Sequence, residues 1–390
     1  WAMLVVGSGV ALSLPMALWS TVTYTRERFD IAQGIAIAES LLRLPVTYWV
    51  LSQDYGIVGL ALGTTGLQLA AWLTRMVVAY RLMPGLRLDP RLFDRGSIRE
   101  LSSFGLYNVV VNAADRVVLS TDMILIVAIA PLGAIYYGNG SILIPYFVQV
   151  VLMVTWTLTP YATKCDARGD REALRGLLRN GTRGSLFLAA VVAAGLLLTG
   201  DAFLDLWIKT ESHLRSPDHA SAFTILVILT WATLVRSSSS AGRQILFGMR
   251  RMGLLAGLSL AEALLNLGIS IGLIYAMGIA GVAIGSLIPV VLIYGVVQNL
   301  YLLKALEMSP VSFFALLLRS SAPAMLAMAG VSWWVDTWLA VDSWPRLIGK
   351  ALLLVAAALL VGYWVVLEPR ERRALLGRFR LTSHVPPPRT

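Results

Sequence analysis

Ten polar or charged residues stand inside long apolar stretches of this sequence: Glu39, Arg43, Asn108, Asn112, Asp115, Arg116, Asp122, Glu262, Asn266 and Arg319. They are the side chains able to do chemistry there. A charge at such a position is costly unless it meets water, a partner or a ligand. Glu39 precedes Arg43 by four residues, the favourable order for an ion pair along a helix. That pair reads either as a self-neutralised stiffener or as a cation offered to an anionic group such as a phosphate. Asn108, Asn112, Asp115 and Asp122 fall within about 80° of one another on a 3.6-residue wheel, with Arg116 beside them. Such a stripe suits water, a ligand, or interhelical hydrogen bonds of ~0.6–2 kcal/mol each. Asp115 and Arg116 read as a local pair or as part of an anion site. Arg319 can snorkel to an interface or join the same site.

Hydrolysis and phosphotransfer are argued against by what is missing. There is no Walker A motif, no GxSxG and no pair of loop carboxylates. His213, His219 and His384 lack metal-ligand spacing, and the single Cys165 excludes an internal disulfide framework or a cysteine metal cluster. No cofactor is expected. The sequons at Asn139 and Asn180 fall in a span and in a basic loop, where glycosylation is not expected.

The elements that must position these residues are membrane helices. Hydrophobic residues make up 57% of the chain, charged ones 14%, and the mean hydropathy is +0.73. A soluble domain carries roughly 25% charged residues. Apolar runs of about 20 residues, enough to cross ~30 Å of hydrocarbon, recur along the chain. They predict eleven spans, at 1–23, 31–52, 56–81, 103–130, 133–161, 183–200, 221–243, 252–276, 279–303, 311–335 and 346–367. The fold class is therefore an all-α polytopic membrane protein. Pro45, Pro145 and Pro289 fall inside spans as bending points.

One stretch occurs twice. RFDIAQGIAIAESLLRL from Arg28 and RMGLLAGLSLAEALLNL from Arg251 share Arg28/Arg251, Gly34/Gly257, Ala38/Ala261, Glu39/Glu262, Leu41/Leu264, Leu42/Leu265 and Leu44/Leu267. Each is followed by a glycine block, GIVGLALG at Gly56 and GIAGVAIG at Gly278. Arg43 falls opposite Asn266. The copies are the second and eighth spans, which implies a six-helix repeat unit running in one direction. Two six-helix lobes in parallel repeat are expected, with a cavity between them, plus two extra C-terminal helices. The boundaries are 1–81 for the second half of the first lobe, 82–102 for a basic linker and 103–303 for the second lobe. The extra helices occupy 304–368 and a basic tail 369–390. Only three helices precede the linker, and the chain opens at Trp1 inside an apolar run without an initiator Met or a signal-peptide n-region. A fragment lacking its N-terminal helices is expected.

Charge gives the orientation. Of the 32 Lys and Arg residues, 25 lie on one side of the spans by the predicted boundaries. Among these are Arg75, Arg81, Arg171, Arg175, Arg236, Arg243 and the tail arginines. Only Lys209, Arg215, Arg346 and Lys350 lie opposite. The positive-inside rule puts the first side and the C-terminus in the cytoplasm. The formal net charge of +10 is thus a topology signal, and nucleic acid is not an expected partner. The longest outer loop, about 201–220, carries the semi-apolar GDAFLDLW and reads as re-entrant or interfacial.

ERFDIAQ at 27–33, PGLRLDPRLFDRGSIRELSSFGL at 84–106, TDMILIVAIAPLGAIYY at 121–137, GDREALRGLLRNGTR at 169–183 and the two glycine turns resemble one family. The chain looks like a bacterial oligosaccharide-lipid flippase of the O-antigen/exopolysaccharide (Wzx) type, in the superfamily that includes MATE exporters. The resemblance implies fourteen helices with both termini cytoplasmic, of which this chain carries the fourth to fourteenth. It implies a polyprenyl-diphosphate-linked glycan as cargo, the bacterial inner membrane as location, and polysaccharide polymerase machinery as a partner. Asp122 matches the acid that opens the TD-plus-apolar segment in that family. Whether it binds sodium, takes a proton or caps structure stays open. Arg43, with Arg116 and Arg319, is the expected attraction for the diphosphate. A MATE-like cation or drug antiporter and a non-transporting scaffold of a polysaccharide-assembly complex are the alternatives.

Overall fold

A computed structural model describes residues 1–26, 28–86, 94–210, 214–215 and 219–365. Glu27, part of the linker, His213 and the basic tail with His384 lie outside the described residues. The chain divides into two compact units, Trp1–Arg95 and Gly96–Thr390.

The first unit is three helices, α1 (Ala2–Thr25), α2 (Phe29–Ser52) and α3 (Gly56–Leu82), with α3 packed on both others. Arg28 is the residue before α2, in a non-helical conformation. Gly56 opens α3 at φ +61°, and Gly63 lets α3 approach Val46 and Val50 of α2. Most of α2 is exposed and apolar, including Leu41, Leu42 and Leu44, as a lipid-facing helix requires.

The second unit begins with α4 (Arg95–Ile129), followed by α5 (Gly133–Ser141), α6 (Ile144–Thr155) and α7 (Leu158–Ala167). Then come α8 (Arg171–Ile208), α9 (Ala222–Ser238), α10 (Ser240–Gly248) and α11 (Met252–Met277). The next span is α12 (Ile279–Val290), a π-helical segment (Val291–Gln298) and α13 (Asn299–Ala305). The last two helices are α14 (Pro310–Trp338) and α15 (Trp344–Val365). Helix α8 is central to this unit and packs on α6, α9, α14 and α15. Its buried Ala189, Ala190, Ala193 and Ala194 bring neighbouring backbones close, the usual basis of helix contact in lipid. The second copy of the repeated stretch is the hairpin α11–α12. Arg251 again precedes its helix, and Gly278 makes the turn at φ +62° and ψ −143°, a conformation essentially reserved for glycine.

The protein is a polytopic α-helical membrane protein. Among the described residues, eight helices are long and apolar enough to span, or ten if two bent pairs each count as one. Helix α4, which covers the predicted span 103–130, is not among them, because its polar stripe dilutes its apolarity. The predicted boundaries fail most at 183–200. Helix α8 extends a further three turns backwards to Arg171 and eight residues onward to Ile208. The segment GDAFLDLW, read from the sequence as part of a re-entrant or interfacial loop, is therefore wholly the end of this helix. Arg75, Arg171, Arg175, Arg236 and Arg243 lie within helices, not in connecting loops.

Candidate functional site

In the first unit, Glu39 on α2 is the centre of a charged group. Its Oε2 accepts from Nη2 of Arg75 on α3 at 3.2 Å, and Arg43 Nη2 lies 3.6 Å from its Oε1. Glu39 and Arg75 are 16% and 15% exposed, whereas Arg43 is 57% exposed. Arg75 is further held over the Trp72 ring, 4.9 Å from its centroid, a cation–π contact. The sequence reading gave Glu39 to Arg43 alone. Geometry gives it first to Arg75, because the neighbouring helix presents that guanidinium in the more buried position. One acid and two bases leave one positive charge uncompensated, and Arg43 carries it on the exposed side.

The second unit holds two buried polar groups, one helical turn apart along α11. The first joins α4, α5, α11 and α12. Asp122, 7% exposed, accepts at Oδ2 from Tyr137 Oη at 2.6 Å and from Ser286 Oγ at 2.7 Å. Asn266, 1% exposed, donates through Nδ2 to Ser286 Oγ at 2.8 Å. Both donors to Asp122 converge on the same carboxylate oxygen. Asp122 Oδ1 and Asn266 Oδ1 are left buried without a partner, which is a costly arrangement for strong acceptors.

The second group centres on Glu262, 1% exposed. It forms an ion pair with Arg236 of α9 and accepts from Tyr294 Oη at 2.7 Å. Arg243 of α10 donates to Asp115 Oδ2 of α4 at 2.8 Å. Both guanidinium groups lie against the Tyr294 ring, at 4.8 Å and 5.8 Å from its centroid. Two acids and two bases make this group neutral. The equivalent acids Glu39 and Glu262 thus both take an arginine from another helix, but from the following α3 in the first unit and from the earlier α9 in the second.

The remaining sequence candidates are not drawn in. Asn112 donates to Asn108 within α4. Arg116 is exposed on α4, and Asp115 pairs with Arg243 in its place. Arg319 is exposed on α14, which packs on α8 and α15, away from both groups. Sequence reasoning counted Arg75, Arg236 and Arg243 as loop charges and passed over Tyr137, Ser286 and Tyr294. The buried acids Glu39 and Glu262 implied basic partners, but the neutral hydroxyls gave no signal. Among the described residues no group of His, Cys, Asp and Glu has the arrangement of a metal centre.

No family model matches this sequence, and no curated protein does. Among solved structures the chain is similar to the lipid II flippase MurJ in an inward closed conformation. The TM-score is 0.64 at 14% identity, over 92% of this chain and 72% of that one. The similarity is one of fold.

Proposed function

We propose that the protein is a flippase that carries a polyprenyl-diphosphate-linked oligosaccharide from the cytoplasmic to the outer leaflet of a bacterial inner membrane by alternating access. The observation that carries this reading is the spare cation of Arg43. It lies about fourteen residues into α2, which begins at Phe29, roughly 21 Å along it at ~1.5 Å per residue. A half-exposed arginine at that depth is favourable only where water or an anion reaches it, and a diphosphate matches its bidentate donors.

The MurJ-like fold supports a lipid-linked cargo. The polyprenyl tail stays in lipid, against α14 and α15. A groove of about 700 Å³ there is lined mainly by apolar residues such as Val335, Leu339, Leu352 and Leu353. Asp122 is the coupling group. Its bare Oδ1 and that of Asn266 are two acceptors suited to a proton or a sodium ion. One charge moved across ~100 mV supplies about 2.3 kcal/mol, so no ATP is needed. The C-terminus is cytoplasmic, and polysaccharide polymerase machinery is the expected partner downstream.

Export of organic cations on the same architecture draws on the buried Asp122, yet the positive charge at Arg43 opposes it. The deciding measurement uses the full chain in proteoliposomes with a fluorescent polyprenyl-diphosphate-linked sugar and an impermeant quencher. Protein-dependent access of the label from the far leaflet is expected, and Arg43→Ala abolishes it. Uptake of a lipophilic cation dye with no movement of the labelled lipid would reject the flippase reading.

A further inference from the structure

Two departures from regular helix in the second unit face each other. The α9–α10 rod is bent by 40° at Ser239. The span that begins at Ile279 widens into a π-helix over Val291–Gln298. Ser239 Oγ donates to the Tyr294 carbonyl at 2.5 Å, inside the widened segment. Gln298 Nε2, at the end of that segment, donates back to the Ser239 carbonyl at 2.9 Å. That same carbonyl also accepts the backbone N–H of Arg243 at 2.9 Å. Ser239, Tyr294 and Gln298 are all buried. Gly295 permits the contact, since a Cβ there would lie 3.2 Å from Val235 of α9.

We propose that these two breaks form one reciprocal hinge, in which Ser239 and Gln298 are positioning residues for the Arg236–Glu262–Tyr294–Arg243 group. Backbone at membrane depth can leave helical geometry only where other groups satisfy it, and each break here supplies the other's additional partner. Widened turns of this kind concentrate at functional positions. Arg236 precedes the bend by three residues and Arg243 follows it by four, so the bend angle sets their separation. The Tyr294 ring, carried by the π segment, lies against both. Rewinding the π segment as α-helix shifts its register by one residue, about 100° of rotation. That shift cannot keep Tyr294 on Glu262 and Gln298 on Ser239 together. Straightening the bend and rewinding the segment are therefore one event, and it rearranges the charged group.

Hydrogen–deuterium exchange on the full chain in lipid nanodiscs tests it. In Ser239→Ala, the amides of residues 294–298 exchange roughly five- to tenfold faster. In Gln298→Met, those of residues 239–243 do so. Ser240→Ala, whose Oγ donates only to Ser237 O of the neighbouring turn at 2.7 Å, changes neither segment. Faster exchange confined to the substituted segment, or spread evenly through the unit, overturns the proposal. The unsubstituted protein supplies the same test if a variant does not fold. On warming, the two segments lose protection together, and loss at separate temperatures overturns the reciprocal hinge.

Discussion

Ser286 donates its hydroxyl to Asp122 Oδ2 at 2.7 Å from a helix 164 residues further along the chain. With Tyr137 on the same oxygen, it leaves Asp122 Oδ1 bare. A carboxylate solvated on one side only is poised to take a cation on the other. Asp122→Asn should therefore fold with stability within about 1 kcal/mol of the parent, or above it, because an uncompensated buried acid is removed. Its flux should no longer respond to an imposed sodium or proton gradient. Thermal unfolding and gradient-driven proteoliposome flux measure the two effects. A variant that keeps gradient dependence removes Asp122 from coupling.

Arg43 and Arg75 share Glu39 but should behave in opposite ways. Arg43 is mostly exposed and 3.6 Å from the acid, so Arg43→Ala should cost under about 1 kcal/mol of stability while abolishing flux. Arg75→Ala leaves a largely buried Glu39 with only the longer contact to Arg43 and loses the Trp72 contact. It should cost about 1–3 kcal/mol. Chemical unfolding in detergent beside labelled-lipid flux separates the two roles. Equal destabilisation by both substitutions would deny Arg43 its spare charge.

Much of this architecture was legible in the sequence. Apolar runs located the spans, and the doubled stretch located two hairpins with the same start and turn: Arg28 and Arg251 before the helix, Gly56 and Gly278 at positive φ. The first turns of α8 were not legible as helix, because four arginines between 171 and 183 lower the hydropathy there. Periodicity held that signal instead, in Leu174, Leu178, Thr182 and Ser185, which form a buried face. The pairing within the candidate site was hidden for another reason. Asp122 is met by Tyr137 and Ser286, neutral residues with no spacing relation to it. The π segment was hidden too, since VLIYGVVQ has the composition of any span.

Glu262→Gln should be among the most destabilising substitutions in the second unit. The acid is buried, with Arg236 and Tyr294 as partners. Neutralising it leaves a guanidinium in low dielectric, at about 3–5 kcal/mol. The double variant Arg236→Met with Glu262→Met removes both charges and should regain most of that loss. A double-mutant cycle by thermal unfolding, closed with the single variants Arg236→Met and Glu262→Met, reads the coupling, and additive losses would show that the ion pair carries no interaction energy.

Three glycines of the α11–α12 hairpin should separate stability from coupling. At Gly278 the backbone lies where only glycine is comfortable, so Gly278→Ala stores strain of about 1–3 kcal/mol. At Gly285 the backbone is ordinary, but a Cβ would run into Ser270, with that residue's Cα at 2.8 Å and N at 2.9 Å. A backbone cannot swing aside as a side chain can, so Gly285→Ala must part α11 from α12 at about 1–3 kcal/mol. The parting also pulls Ser286 away from Asn266 and Asp122. Gly285→Ala should therefore lose gradient-coupled flux, while Gly278→Ala, at the turn, loses stability without losing coupling. Gly272→Ala is the control, because a Cβ there meets nothing within 4 Å. It should change stability by no more than about 1 kcal/mol. Melting temperatures with flux measured below them distinguish the three. Coupled flux surviving in a folded Gly285→Ala protein would show that close approach of α11 and α12 is not what holds the Asp122 group together.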